Sequence, residues 1–367
     1  MRRILTEATM NLRNRFGVLV VAASAAALAA GLISLDARSA APGAAAVLRI
    51  YFVDVEGGQA TLIVAPAGAS AQAGRALLVD TGWPDANGCD AKRIVAAAKK
   101  AGVSRLDFLL ITHFHMDHVG GVTELVRRIP VETFLDHGAN VETGKEADGL
   151  FKAYEKAAAT RSRRTVKPGD SLALGDAEVK VLTADGDAMR SPLPGAGLPN
   201  AACQGVKPME DDPSENARSV GILVTYGKFR FVDFGDLTWN KELALMCPEN
   251  PIGAVNVFLV SHHGMNISNS PALVWALAPR VAIMNNGEKK GGSPEAWETV
   301  EKSPGLESLW QLHYSAAGGK AANVANKYIA NPRGTDRGFG IELAAEPDGS
   351  FTLTNSRTGF KKKYPAR

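Results

Sequence analysis

Seven histidines occur in the chain, at positions 113, 115, 118, 137, 262, 263 and 313. Three of them fall in one stretch, Thr112-His113-Phe114-His115-Met116-Asp117-His118. The apolar run 108–112 ahead of it reads as a strand, and side chains two apart on a strand share a side. His113 and His115 therefore point the same way at the strand's mouth, and the following loop returns Asp117 and His118 to that mouth. Imidazoles and a carboxylate held together suit a divalent transition metal, with zinc, manganese and iron all compatible with these donors.

Something must position that cluster. Apolar runs at 48–53, 60–64 and 76–79, separated by Gly- and Pro-containing turns, read as a β-meander. Helical composition follows at 91–100, 122–128 and 145–160, with strands at 133–135, 171–174 and 178–182. The alternation resumes with strands at 220–226, 229–234 and 255–260, then 281–284, 309–313, 340–343 and 351–354. Helices are expected at 240–246, 271–277 and 294–302. Between them lies 184–214, with five prolines, four glycines and no apolar period. A loop of that length inside a domain is either disordered or functional; because it enters the strand pair ending at Asp236, it is expected to form a lid or rim. Strands and helices mixed throughout, with strands in both halves, predict two sheets packed together and flanked by helices.

Charge and cysteines narrow the setting. The formal net charge is +3, from 41 basic and 38 acidic residues. Residues 1–39 hold five of the basic and two of the acidic ones, so 36 of each remain beyond them. A neutral body lacks the global footprint of a nucleic-acid binder. Arg280, Lys289 and Lys290 could line a local groove, though solvated surface charge is the simpler reading. Residues 1–39 read as a secretory signal: four arginines in the first fifteen residues, an apolar run from Phe16 to Ile33, then small residues around Ala37 and Ser39. An uncleaved anchor and a start at Met10 are the alternatives. The expectation is a periplasmic or secreted protein with no membrane segment after cleavage. Its oligomeric state is not readable. Cys89, Cys203 and Cys247 include no C-x-x-C pair, which excludes a structural zinc site and allows one internal disulfide at most.

His-x-His-x-Asp-His followed by Gly120-Gly121 resembles the signature of the metallo-β-lactamase superfamily. Asp80-Thr81-Gly82, Gly235-Asp236 and His262-His263-Gly264 fall in that family's order. Over about residues 48–315 the resemblance implies an αββα sandwich, here one metallo-hydrolase domain at 48–367 after a 40–47 linker. It implies two metal ions, zinc first, on one edge between the sheets. His113 and His115 would bind one, Asp117 and His118 the second, Asp236 would bridge both, and a last histidine would complete the second. Placement before the glycine favours His263, leaving His262 beside it or in contact with substrate, with the reverse assignment open. Asp80 would hold the histidines. Within the superfamily the chain is similar to the hydrolase domains of DNA-uptake channel proteins and to phosphorylcholine esterases. That similarity rests on 52–60, on Asn216 and Ser219 before Gly235-Asp236, and on Ser293-Pro294-Glu295. Glu56 and Gln59 depart from the pattern at the first of these turns.

One expected histidine, just before the strand leading to Asp236, is replaced by Ser214-Glu215-Asn216. Either the first metal has a thinner shell, or it borrows His137 or Cys203, or a single ion is held tightly. His137 ends a strand and could also touch substrate, while His313 reads as a hydrogen-bonded strand residue. Two cations sharing a carboxylate also share a water and lower its pKa, creating a hydroxide nucleophile. The family's pattern thus predicts hydrolysis, with Asp117 and Asp236 as the working carboxylates and Asp117 moving the proton. The bridging Asp236 favours a small phosphoester or phosphodiester. A lactone or β-lactam hydrolase is the alternative enzyme, and a metal-dependent binding protein without turnover the alternative class.

Overall fold

The computed structural model describes residues 46–67, 74–85, 87–159, 161–335 and 337–367. The expected signal at 1–39 and most of the linker lie outside them. In the strand Arg75–Val79, Leu77 and Val79 join one buried cluster while Ala76 and Leu78 join another. A strand apolar on both faces demands a sheet covered on both faces, and that requirement organises the molecule.

The first sheet opens with the expected meander, Leu48–Phe52, Thr61–Ala65 and Arg75–Val79, each antiparallel to the next. It then turns parallel through Leu106–Leu110, Val131–Asp136 and Ser162–Thr165. Parallel neighbours need long crossovers, supplied by helices that include Cys89–Lys100 and Lys145–Ala158. The second sheet repeats this order. Ser171–Leu174, Ala177–Ala184, Gly221–Tyr226 and Phe229–Asp233 are antiparallel. Val257–Leu259, Val281–Met284, Ser308–His313 and Ile329–Asn331 then run parallel. The chain finally returns to the first sheet: Ile341–Ala345 pairs with Leu48–Phe52, followed by Phe351–Asn355 and Lys361–Tyr364.

Ile50, Phe52 and Val79 of one sheet meet Val181, Ile222 and Phe231 of the other in a shared core. Phe52 and Phe231 pack edge to face with ring centroids 5.8 Å apart. Each such side chain contributes about 1.5–3 kcal/mol by leaving water. On the outer faces, Ile94, Leu125 and Tyr154 cover the first sheet, while Leu273, Val274 and Val300 cover the second. The result is the four-layer αββα sandwich expected from the sequence. Among the described residues no helix is long and apolar enough to cross a membrane.

The 184–214 segment is anchored to the flank. Leu198–Pro199 pairs with Glu249–Asn250, and Cys203 forms a disulfide with Cys247. The Asn200 side-chain amide donates to the carbonyls of Met246 at 2.9 Å and Ala272 at 2.8 Å. Met189 and Leu193 pack into the outer core of the second sheet. These contacts hold residues 189–203 of the insertion against the outer helical layer, and farther on Lys207 and Met209 meet Trp239 and Asn240.

Candidate metal centre

Parallel strands deliver their carboxyl ends to one edge, the usual place for a ligand site in such sheets. Leu106–Leu110 leads to His113, Phe229–Asp233 to Asp236, and Val257–Leu259 to His262 and His263. The turns there are tight. Asp80 sits at φ 60°, and His262 and His263 are both at φ 53°. Non-glycine residues in the left-handed region cost on the order of 1–3 kcal/mol each and cluster at functional sites. Gly235 relieves one crossing: at φ 54° it passes Thr112, where a Cβ would lie 2.8 Å from the threonine Cβ.

Asp80 organises the first turn. It accepts from the Thr112 N–H at 2.8 Å and the Thr112 hydroxyl at 2.7 Å, and its Oδ2 lies 2.7 Å from His118 Nδ1. A hydrogen on Nδ1 facing that carboxylate leaves His118 Nε2 turned toward the cluster as a lone-pair donor. Ser219 accepts from the Asp236 N–H at 3.2 Å and stands 3.4 Å from His113 Nδ1. Gln59, buried, donates to both oxygens of Asp233.

Asp236 lies between two groups of donors. Its Oδ1 is 3.3 Å from His118 Nε2 and 3.4 Å from His263 Nε2. Its Oδ2 is 3.4 Å from His262 Nε2 and 4.0 Å from His113 Nε2. Asp117 Oδ2 lies 3.2 Å from His118 Nε2 and 3.0 Å from His263 Nε2. Asp117, His118, Asp236 and His263 bring one ligand atom each within 4.8 Å of one another, all buried. His115 stands at the rim, its ring 4.7 Å from that of His113 and its Nε2 2.8 Å from Glu142 Oε1. That contact leaves Nδ1 as its metal-facing candidate.

The charges suit a cation. Burial would raise Asp117 and Asp236, but His118 with the neighbouring histidines outweighs it and holds both well below the usual carboxylate range. Burial would lower His118, yet Asp236, Asp117 and Asp80 push it well above an ordinary imidazole, so that without an ion Nε2 carries a proton that a bound cation would displace. His113 goes the other way: burial and the adjacent His118 hold it well below. His113 Nε2 and Asp236 Oδ1 are buried without a hydrogen-bond partner. Orphaned buried polar atoms are costly, and divalent ions on the two sides of Asp236 would satisfy them, so the residues present fit a metal.

Of the two residues offered as a borrowed ligand, Cys203 is engaged elsewhere, whereas His137 keeps Nδ1 buried and without a hydrogen-bond partner. Cys203 is in the disulfide. His137 Nε2 sits 2.8 Å from Glu215 Oε2, and its ring packs 4.9 Å from that of Phe114. Glu215, in the slot where a histidine was expected, accepts from the N–H groups of Phe114 at 2.9 Å and Val141 at 2.7 Å. It straps the histidine turn to the 137–142 loop. His262 stands on the Oδ2 side of Asp236, near His113. Asn216 Oδ1 is buried and unpartnered, and His313 pairs with Asp54 Oδ1 at 2.7 Å. Arg280 is buried against Glu307, whereas Lys290 reaches Asp117 Oδ2 and so is not a solvated surface charge. The contacts of Glu142, Glu215 and Lys290 are not legible in the sequence, because their partners lie 27, 101 and 173 positions away.

Residues 53–205 match the model of the metallo-beta-lactamase superfamily. ComE operon protein 3 of Bacillus subtilis is 27% identical over 188 residues, covering 51% of this chain and 21% of that protein. Hydroxyacylglutathione hydrolase of Rhodopseudomonas palustris is 32% identical over 97 residues, covering 26% of this chain and 31% of that one. The chain thus spans a fifth to a third of the length of these curated relatives. Among solved structures, the metallo-beta-lactamase fold protein YhfI of Bacillus subtilis aligns over 72% of this chain and 96% of its own, at 10% identity and a TM-score of 0.44. The family match takes in the whole His113–His118 turn, the second sheet completes the sandwich around it, and over residues 53–205 the chain is similar to the metallo-β-lactamase superfamily, whose fold it shares.

Proposed function

We propose that the chain is a metal-dependent hydrolase of small phosphoesters or phosphodiesters. The observation that carries this reading is the placement of Asp236, with Oδ1 against His118 and His263 and Oδ2 against His113 and His262. One carboxylate set between two nitrogen groups is the geometry of a bridge. His113, His115, His262 and Asp236 would hold one ion, and Asp117, His118, His263 and Asp236 the other. Bound there, divalent cations would polarise a phosphoryl oxygen and acidify a water.

The chain's own groups supply the rest. Asp117 would face an ion through Oδ2, beside His118 and His263, and its second carboxylate oxygen can accept a proton and return it to the leaving oxygen. Asp80 fixes the orientation of His118, and Glu142 and Glu215 fix the turn that carries His115. An oxidising compartment outside the cytoplasm is supported by the Cys203–Cys247 disulfide.

The test is turnover of the metal-loaded chain on bis-p-nitrophenyl phosphate, p-nitrophenyl phosphorylcholine, nitrocefin and a homoserine lactone. Cleavage of either phosphoester above the other two is expected. Asp236→Asn should cut kcat far more than it raises KM, because its effect falls on the transition state. Preference for nitrocefin or the lactone would replace the phosphoester reading by the lactam or lactone one. Metal binding with no turnover on any of the four would leave a binding protein.

A further inference from the structure

The turn 287–292 connects the strand Val281–Met284 to the helix Pro294–Glu301 and carries Lys290 at its tip. Its shape is closely held. The Gly287 N–H donates to the Lys290 carbonyl at 2.9 Å, and the Gly292 N–H to the His263 carbonyl at 2.9 Å. A Cβ on Gly291 would lie 2.1 Å from the His263 carbonyl oxygen, and one on Gly57 would lie 2.8 Å from the Gly287 nitrogen. The turn is therefore seated against both the metal-centre histidines and the Glu56–Gly57 loop. From it, the Lys290 ammonium contacts Asp117 Oδ2 and sits 4.9 Å from the centre of the Trp83 ring. The side chain stays about one-third exposed, at 32%.

We propose that Lys290 is the residue that binds the anionic group of the substrate beside the metal centre. This deepens the hydrolase reading above by specifying that the substrate is an anion. Asp117 Oδ2 already faces the Nε2 atoms of His118 and His263, so it is the oxygen that cations in the cluster would neutralise. The ammonium then loses its partner while Trp83 still holds it at the mouth of the site, since an indole face attracts a cation independently of any carboxylate. An oxygen of an anionic ester lying over the cluster meets it there. A point charge on a flexible stem suits a tetrahedral phosphoryl group, whose oxygens point in several directions.

The experiment uses the full chain loaded with metal, titrated with inorganic phosphate by calorimetry. Wild type should bind phosphate. Lys290→Met and Lys290→Gln should each weaken it roughly ten- to a hundredfold, the loss carried by a hydrogen bond to a charged group. Lys290→Arg should restore most of the affinity. KM for bis-p-nitrophenyl phosphate should rise in step, with metal content unchanged and a much smaller loss on the uncharged p-nitrophenyl acetate. Phosphate affinity equal to wild type in both neutral variants would overturn the assignment, as would no phosphate binding by wild type. So would equal losses on the charged and uncharged esters, which would mark Lys290 as a structural counter-ion of Asp117. If phosphate binds through Lys290 but no phosphodiester is cleaved, the phosphoester reading fails and this assignment stands.

Discussion

Two adjacent histidines flank one carboxylate, and their left-handed backbone makes that possible. In an extended strand neighbours point to opposite faces; at φ 53° each, His262 and His263 both turn toward Asp236. His262→Ala should remove a donor on the Oδ2 side and leave the His118/His263 side intact. We expect the more weakly held ion to be lost, with its affinity falling at least about 10–100-fold, the loss that even supporting residues of a metal site carry. His118→Ala should empty the other side as well, because His118 touches both Asp117 and Asp236. Metal stoichiometry by atomic emission checks this, and two ions retained in His262→Ala would remove that residue from the centre. The HxHxDH turn was readable because its spacing is local. The role of His262 was not, because it depends on where Gly235 lets the preceding strand turn.

At the scale of elements, the strands with an apolar period were legible and the two outermost strands of the first sheet were not. Ser162–Thr165, Ser-Arg-Arg-Thr, has all four residues exposed, and Lys361–Tyr364 opens with three lysines. Both are sheet edges, where charge blunts pairing with other chains and erases the hydrophobic signal. The turn Glu215–Arg218 breaks the expected ligand pattern, yet it carries the strap. Buried Glu215 feels a penalty that would raise its pKa, but His137 and the N–H groups of Val141 and Phe114 outweigh it, so the pKa is lowered. A lowered carboxylate adds stability that is present above its unfolded pKa and is lost as pH falls through the lower folded value. His137, His115 and Glu142 are the titratable neighbours. Glu215→Gln should therefore cost about 1–3 kcal/mol at neutral pH, and the gap from wild type should close as pH drops below about 4.3. Denaturant melts at pH 7 and pH 4 test it; a gap that widens on acidification would mean the carboxylate is not what stabilises the strap.

For the whole molecule, each sheet begins antiparallel and ends parallel, and the last three strands return to the first sheet. Neither the long-range pairing of Leu48–Phe52 with Ile341–Ala345 nor the docking of the 184–214 insertion could be read from local pattern, since both join segments far apart in sequence. The insertion supplies the test of how independently site and flank behave. Cys203 and Cys247 are 44 residues apart, and closing a loop of that size restricts the unfolded chain by about 4 kcal/mol in the chain-entropy model, with measured values commonly 2–4 kcal/mol. The double substitution Cys203→Ser, Cys247→Ser should lower unfolding stability by that measured range. It should leave metal stoichiometry and turnover at room temperature near wild type, because Leu198, Asn200 and Met189 still anchor the segment to the outer layer. Denaturant melts beside metal analysis decide it. An unchanged midpoint would show that the flank docks without the bridge, and loss of metal with an unchanged fold would show that the insertion supports the centre after all.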